Sequence, residues 1–169
     1  MASKSLRKAD GFDLSQTASH LLRLCWQHAN DLFSQEPGAG DLTKPQFTVL
    51  SAVEQHDGIS QTQLVALTKI DRSTLAEMLH RMLEKELVVR ERTAEDARAN
   101  ALHIASSGKK ALRTARAANE RVEKGLLASL SAPDRARFIK LLAAVAGAAE
   151  AAEAKGRRVR RKGRPGAGR

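Results

Sequence analysis

Between Asp71 and Gly108 the chain reads DRSTLAEMLHRMLEKELVVRERTAEDARANALHIASSG, and its apolar residues change period part-way through. Leu75, Met78, Leu79, Met82 and Leu83 recur every three or four residues, which places them on one side of a helix. After EKE the period falls to two. VVRER and ALHIA alternate as short strands do, and the polar stretch TAEDARAN between them predicts a hairpin. Asp71 stands where a carboxylate caps the helix by accepting from the N–H groups of Ser73 or Thr74. The side of that helix away from the apolar row carries Arg72, Ser73, Ala76, Glu77, His80 and Arg81.

Upstream, Leu14, Ala18, Leu21, Leu22, Cys25, Ala29 and Leu32 predict a first helix that ends before the loop EPGAGD. Thr43-Lys-Pro-Gln46 reads as a capping box with Pro in the first turn, opening a second helix that buries Phe47, Leu50 and Val53. Ser60-Gln-Thr-Gln63 is another capping box and begins a short helix with Leu64, Val65 and Leu67. Downstream, a long helix from Ser106 carries Ala111, Leu112, Ala115, Ala118, Val122 and Leu126. Ser131-Ala-Pro-Asp134 then starts a last helix with Phe138, Leu141, Leu142 and Val145. Aromatics make up only 3% of the chain and Tyr is absent, so the core is expected from Leu, Ala, Val and Met. The fold class is mainly α with a small β hairpin. A tight helix pair trailed by a hairpin is a winged helix-turn-helix, whose second helix enters the DNA major groove.

The net charge of +10 is unevenly placed. Residues 155–169 hold eight Lys and Arg and no acid, whereas residues 1–154 hold 21 basic against 19 acidic groups. Contact with DNA by the folded part must therefore depend on placed side chains rather than a broad field. No apolar run is long enough to span a membrane and the N-terminus lacks a secretory signal, so a cytoplasmic protein with no membrane partner is expected. The single Cys25 excludes a disulfide framework and a multi-cysteine metal site, and no cofactor is expected. A nucleophile elbow, a phosphate loop and metal-ligand spacing are all missing, which argues against an enzyme.

The segments LTKPQFTVLSAV, SQTQLVALTKIDRSTLAEMLHRMLEKELVVRERT and EDARANALHIASSG together resemble the MarR family of dimeric bacterial transcription regulators, from roughly Leu14 to Val145. The resemblance implies one domain over residues 14–150. The helices at about 14–34 and 106–150 would form an intertwined dimerisation region, and residues 43–105 a DNA-binding module. A flexible N-terminus (1–13) and a disordered basic tail (151–169) would flank that domain. Its implied partners are double-stranded DNA with a palindromic operator, a second copy of the chain, and a small-molecule effector that releases a repressor.

For DNA binding, the resemblance and the helix position point to Ser60, Gln61, Arg72, Ser73, Thr74, Glu77 and Arg81, with Arg90, Arg92, Asp96 and Arg98 on the wing. Asp96 would brace the hairpin tip and Arg98 reach into the minor groove. Arg90 and Arg92 either meet phosphates or solvate the strand. Three positions depart from the family pattern: Lys69 stands where many members have Gly, Glu77 where many have Arg, and Ala97 where a basic residue is common. Glu77 either accepts from a cytosine amino group, lies off the groove, or pairs with Arg81 one turn later, the reading favoured here.

Family members hold effectors between the first two helices and the fifth, which makes His20, Arg23, Trp26, Phe47 and Val49 the candidate lining residues. Trp26 and Phe47 suit an aromatic ring and His20 or Arg23 a carboxylate, so an aromatic acid or its acyl-CoA thioester is the implied effector class. Two alternatives stand beside this. One is a peroxide sensor acting through Cys25, disfavoured because that residue falls on the apolar stripe of a chain without Tyr. The other is a winged-helix module that binds protein instead of DNA. The tail holds KGRPG, similar to the Gly-Arg-Pro core of an AT-hook, but its density of cations suits non-specific phosphate attraction better.

Overall fold

In the computed structural model, which describes residues 12–92 and 100–162, a short 3-10 turn at Leu14–Gln16 precedes the first helix. Helix α1 (Ala18–Gln35) starts only at Ala18, although the periodicity predicts a start at Leu14. The break falls at Thr17, whose backbone is extended and whose hydroxyl donates to the Leu14 carbonyl at 2.8 Å. That hydrogen bond competes with helix propagation, a habit of Thr near helix starts.

Helix α2 (Lys44–Gln55) and helix α3 (Gln61–Thr68) begin as their capping boxes predict. In both, the cap hydroxyl accepts from the third helical N–H and the Gln side chain returns to the cap N–H. Between them lies a strand that periodicity does not reveal, β1 (Ile59–Ser60), reached through Gly58 at φ +76. Helix α4 (Arg72–Glu84), strands β2 (Val88–Arg92) and β3 (Asn100–Ile104), and helix α5 (Ser106–Leu126) complete this part of the chain. The strands form an antiparallel sheet in the order β1-β3-β2, with Arg90 opposite Leu102 and Ile59 opposite Leu102 on the other edge. On β3, His103 Nδ1 lies 2.8 Å from Asp57 Oδ1, tying the sheet to the turn after α2.

Helix α4 ends in a Schellman motif, with the Leu87 N–H donating to the Met82 carbonyl at 2.8 Å and the Glu86 N–H to the Leu83 carbonyl at 2.9 Å. Glu86 takes the left-handed conformation there, at φ +52, a place that Gly usually fills. Leu87 and Met82 are both buried, which supplies the apolar contact that accompanies this motif.

The chain divides into two compact units, residues 1–126 and 127–169. In the first, one core joins Phe33 of α1, Val49, Leu50 and Val53 of α2, Leu64 of α3, Leu75, Leu79 and Met82 of α4, Val88 and Leu102 of the sheet, and Leu112, Ala115, Ala118 and Val122 of α5. Burying each Leu-sized side chain contributes about 1.5–3 kcal/mol. The helix-turn-helix and the long α5 thus share one core. Among the described residues this unit is a winged helix-turn-helix carried on two further helices.

The second unit contains helix α6 (Ala132–Lys162), opened by Ser131 Oγ accepting from the Asp134 N–H at 3.4 Å. Residues 151–162, expected to be disordered, continue this helix; its Ala-rich middle, AAVAGAAEAAEA, has high helix propensity that carries it into the basic stretch. Residues 1–11, 93–99 and 163–169 lie outside the described residues, and with them most of the proposed flexible N-terminus and the last part of the tail. No described helix is long and apolar enough to cross a membrane.

Candidate nucleic-acid interface

Helix α4 buries Leu75, Leu79 and Met82 completely and leaves Arg72, Ser73, Thr74, Glu77, His80 and Arg81 exposed. The alternation follows from the 3.6-residue period: the same turns that feed the core must present a polar face outward. Its N-terminus is held by Asp71, which accepts from the Ser73 hydroxyl at 2.7 Å and from the Thr74 N–H at 2.9 Å. Hydrogen bonds from Thr74, side chain first and backbone second, and then from the Ser73 hydroxyl hold the Asp71 carboxyl well below the usual aspartate range. With its proton committed to Asp71, the Ser73 hydroxyl offers only lone pairs outward. Toward a base edge it can accept from the amino groups of cytosine or adenine.

Glu77 Oε2 lies 3.4 Å from Arg81 Nη2, which realises the intrahelical pairing favoured from the sequence. One turn along, His80 Nε2 lies 3.3 Å from Glu84 Oε1. On the outward face of α4 the charge of Arg81 is therefore partly compensated by Glu77.

Ser60 and Gln61, half-buried, sit at the start of α3. Ser60 Oγ donates to Gln63 Oε1 at 2.8 Å, so its proton is committed to the cap. Lys69 connects α3 to α4 in the left-handed conformation, at φ +58. A side chain there works against backbone sterics, and this is why Gly suits the position better. On the wing, Arg90 is exposed on β2, and Arg92 occupies the strand end opposite Asn100. Asp96 and Arg98 fall in 93–99, outside the described residues, as does Ala97.

The proposed effector residues do not all share a surface. Val49 is completely buried in the core, unlike the other four: on α2 it neighbours Leu50, Ala52 and Val53, all core positions. His20 is half-buried on α1, while Arg23 and Trp26 are exposed there. Phe47 is half-buried, its ring 5.6 Å from that of Phe33. Cys25, expected on a buried stripe, is exposed, because within this chain α1 packs only through its C-terminal part, at Ala29 and Phe33. An open groove of about 690 Å³ lies between the end of α4, β2 and the start of α5, lined by Leu83, Val88, Arg90 and Ser106 among others; none of the five proposed effector residues borders it.

One group that periodicity passes over is Lys44. Its side chain is only 10% exposed, with Nζ 3.0 Å from Glu123 Oε1 and hydrogen-bonded to Asn119 Oδ1, both on α5. The same Nζ lies 5.6 Å from the Phe33 ring centroid and 5.7 Å from that of Phe47. Only its place in the first turn of α2 marks it in the sequence, and its partners are more than seventy residues away.

Residues 40–99, which include α2, β1, α3, α4 and β2, match the family model described as MarR family. Over 129 residues the chain is 35% identical to the transcriptional regulator HosA of Escherichia coli, an alignment covering 76% of this chain and 94% of that protein. The chain belongs to the MarR family. This MarR-family chain is also 28% identical over 131 residues to the HTH-type transcriptional repressor NicR of Pseudomonas putida, covering 78% of this chain and 83% of that one. Its fold matches the PcaV transcriptional regulator of Streptomyces coelicolor, solved in complex with its natural ligand, with a TM-score of 0.75 and 29% identity over 83% of this chain and 99% of that one. These relatives are transcriptional regulators rather than enzymes, and the MarR-family winged helix described above is a regulator's fold.

Proposed function

We propose that the protein is a homodimeric repressor that reads a palindromic operator with α4 and its wing and is released by a small aromatic acid or its acyl-CoA thioester. The observation that carries this reading is the outward face of α4, with Arg72, Ser73 and Thr74 exposed at its capped N-terminus, Arg81 exposed in its last turn, and Leu75, Leu79 and Met82 buried on the other side. Such a tip suits base edges and the backbone of a major groove. The repressor NicR and the ligand-bound regulator PcaV support regulation by release.

A second copy is called for by exposed apolar residues. Leu14, Leu21, Leu22, Leu24 and Trp26 in and around the N-terminal part of α1, and Ile139, Leu141 and Val145 on α6, are each more than two-fifths exposed. Isolated apolar residues on a surface need no explanation, but runs of them on helices mark association. A two-fold dimer would set paired recognition helices about 34–36 Å apart, one turn of duplex. Lys44, with the half-buried Phe47 beside it, adds a cation and an aromatic face to His20, Arg23 and Trp26 as the groups that suit an aromatic carboxylate. An effector carboxylate there would compete with Glu123 for Lys44 and so pull on α5.

Retention of genomic fragments by the purified chain on a filter in dilute buffer, followed by sequencing, tests the reading. The expected result is a small set of fragments sharing an inverted repeat, released by one class of aromatic acid. A chain that sediments as a monomer, or that retains no fragment over competitor, would overturn it. Release by organic peroxide that is lost in Cys25→Ser would favour the peroxide-sensing alternative, which the exposure of Cys25 keeps chemically open.

A further inference from the structure

Helix α6 runs on to Lys162, so the start of the basic stretch is a rod rather than a loose tail. From Lys155 to Lys162 only Gly156 and Val159 are not Lys or Arg, and the last acidic residue of the chain is Glu153. Eight helical residues span about 12 Å, which concentrates six cations in that length. At spacings of three and four the pairs are Lys155 with Arg158, Arg157 with Arg160 and Arg161, and Arg158 with Arg161 and Lys162. All are of like sign and repel one another. Glu153, one turn before Arg157, is the single opposite charge at such a spacing. Cations do suit the C-terminal end of a helix dipole, but that preference is satisfied by one or two of them. The remainder is an unbalanced array that an external polyanion would relieve.

We propose that the end of α6 is a phosphate-binding arm that grips the backbone of duplex DNA. This rests on the DNA-binding reading above and extends it to a surface that reads no sequence. The composition of the arm decides among polyanions. Val159 is the one apolar residue from 155 to 162, so there is no apolar face to enter a lipid surface. Beyond Phe138 the chain has no aromatic residue, so the aromatic platform on which single-strand binders stack their bases is missing. A dense row of cations without either feature fits the regularly spaced phosphates of a duplex. The near-neutral balance of residues 1–154, 21 basic against 19 acidic, makes the arm the main source of non-specific attraction in the molecule.

The test compares the full chain with a variant in which Lys155, Arg157, Arg158, Arg160, Arg161 and Lys162 are all changed to Gln. Both are titrated by fluorescence anisotropy against a long duplex with the retained operator at its centre, a short duplex with the operator alone, and a long scrambled duplex, over a series of KCl concentrations. On both long duplexes the variant should bind about tenfold or more weakly near physiological salt, and its slope of log affinity against log salt should shrink by up to about five per protomer. On the short duplex, which offers fewer phosphates, the difference between the two proteins should be smaller, and the operator-to-scrambled preference should be unchanged. An equal slope on the long duplex, with operator binding intact, would overturn the arm alone. Failure of the full chain to bind any duplex would overturn the parent reading as well. Co-sedimentation with phosphatidylglycerol vesicles that the Gln variant loses, with unchanged DNA slopes, would assign the arm to lipid and overturn the duplex assignment. Matching thermal melts of the two proteins should show that the variant folds.

Discussion

Glu77 and Arg81 face each other across one turn of α4, with Oε2 and Nη2 3.4 Å apart and both side chains exposed. In the free protein the carboxylate therefore holds the guanidinium on the helix that is proposed to enter the groove. Glu77→Gln should release Arg81 and remove a negative charge from the path of the phosphates. Operator affinity should rise about three- to tenfold, while unfolding free energy changes by no more than about 0.5 kcal/mol, as expected for an exposed intrahelical pair. Anisotropy titration and a urea melt check both parts. Weaker binding in the Gln variant would mean instead that Glu77 accepts from a cytosine amino group.

Arg98 is the residue proposed to carry the wing's contact with the minor groove. Arg98→Ala should lower operator affinity by about 1–3 kcal/mol, roughly ten- to hundredfold, with an unaltered melting temperature. Equal affinities at one fixed salt concentration would remove the wing from the interface.

Asp71 couples the start of α4 to acid. Its carboxyl is held well below the ordinary aspartate value of 3.8, chiefly by Thr74 and then Ser73, so it binds fewer protons when folded than when unfolded. Its contribution to stability is therefore complete above that ordinary value and is lost as the pH falls from there toward the folded value. Asp71→Ala should be less stable than the native chain at neutral pH, and the gap should narrow below about pH 4. A gap that stays constant down to the acid transition would show that the carboxylate is not what caps the helix.

Glu86 occupies the left-handed position of the Schellman motif at φ +52. Glu86→Gly removes the steric cost of a β-carbon there, set against the greater freedom of Gly in the unfolded chain. A net gain of about 0.5–1 kcal/mol is expected in chemical denaturation. A loss of stability would mean that the Glu side chain contributes more than its backbone costs.

Gly108, in the first turn of α5, marks the opposite case. A β-carbon on it would lie 2.0 Å from the Leu87 carbonyl oxygen and 3.0 Å from the Ile104 side chain. The backbone oxygen cannot move freely, since it accepts from the Ala105 N–H at 3.1 Å. Gly108→Ala should cost about 1–3 kcal/mol or more, in the manner of an overpacked core. Because the contact joins α5 to the chain leaving α4, operator affinity should fall with it. A melt within about 0.5 kcal/mol of the native chain would show that α5 can shift aside, contrary to the tight approach described here.

What the amino-acid sequence determined by itself is local. The capping boxes at Thr43 and Ser60 and the cap at Asp71 were legible because donor and acceptor lie within three residues, and the apolar rows of α4 and α5 because a helix period repeats along the chain. The polar face of α4 follows from the same period, so most of the candidate interface could be written down before any coordinates. What only the tertiary structure decided depends on partners distant in sequence. Two-residue β1 exists because Ile59 and Ser60 pair with Leu102 and Ala101, Val49 is core because several helices close over it, and Lys44 meets Asn119 and Glu123 only when α2 lies beside α5. Gly108 could be read as the end of a motif, but the reason for it, a carbonyl oxygen of Leu87 standing where a β-carbon would be, is a distance between two chain segments that no spacing along one of them encodes.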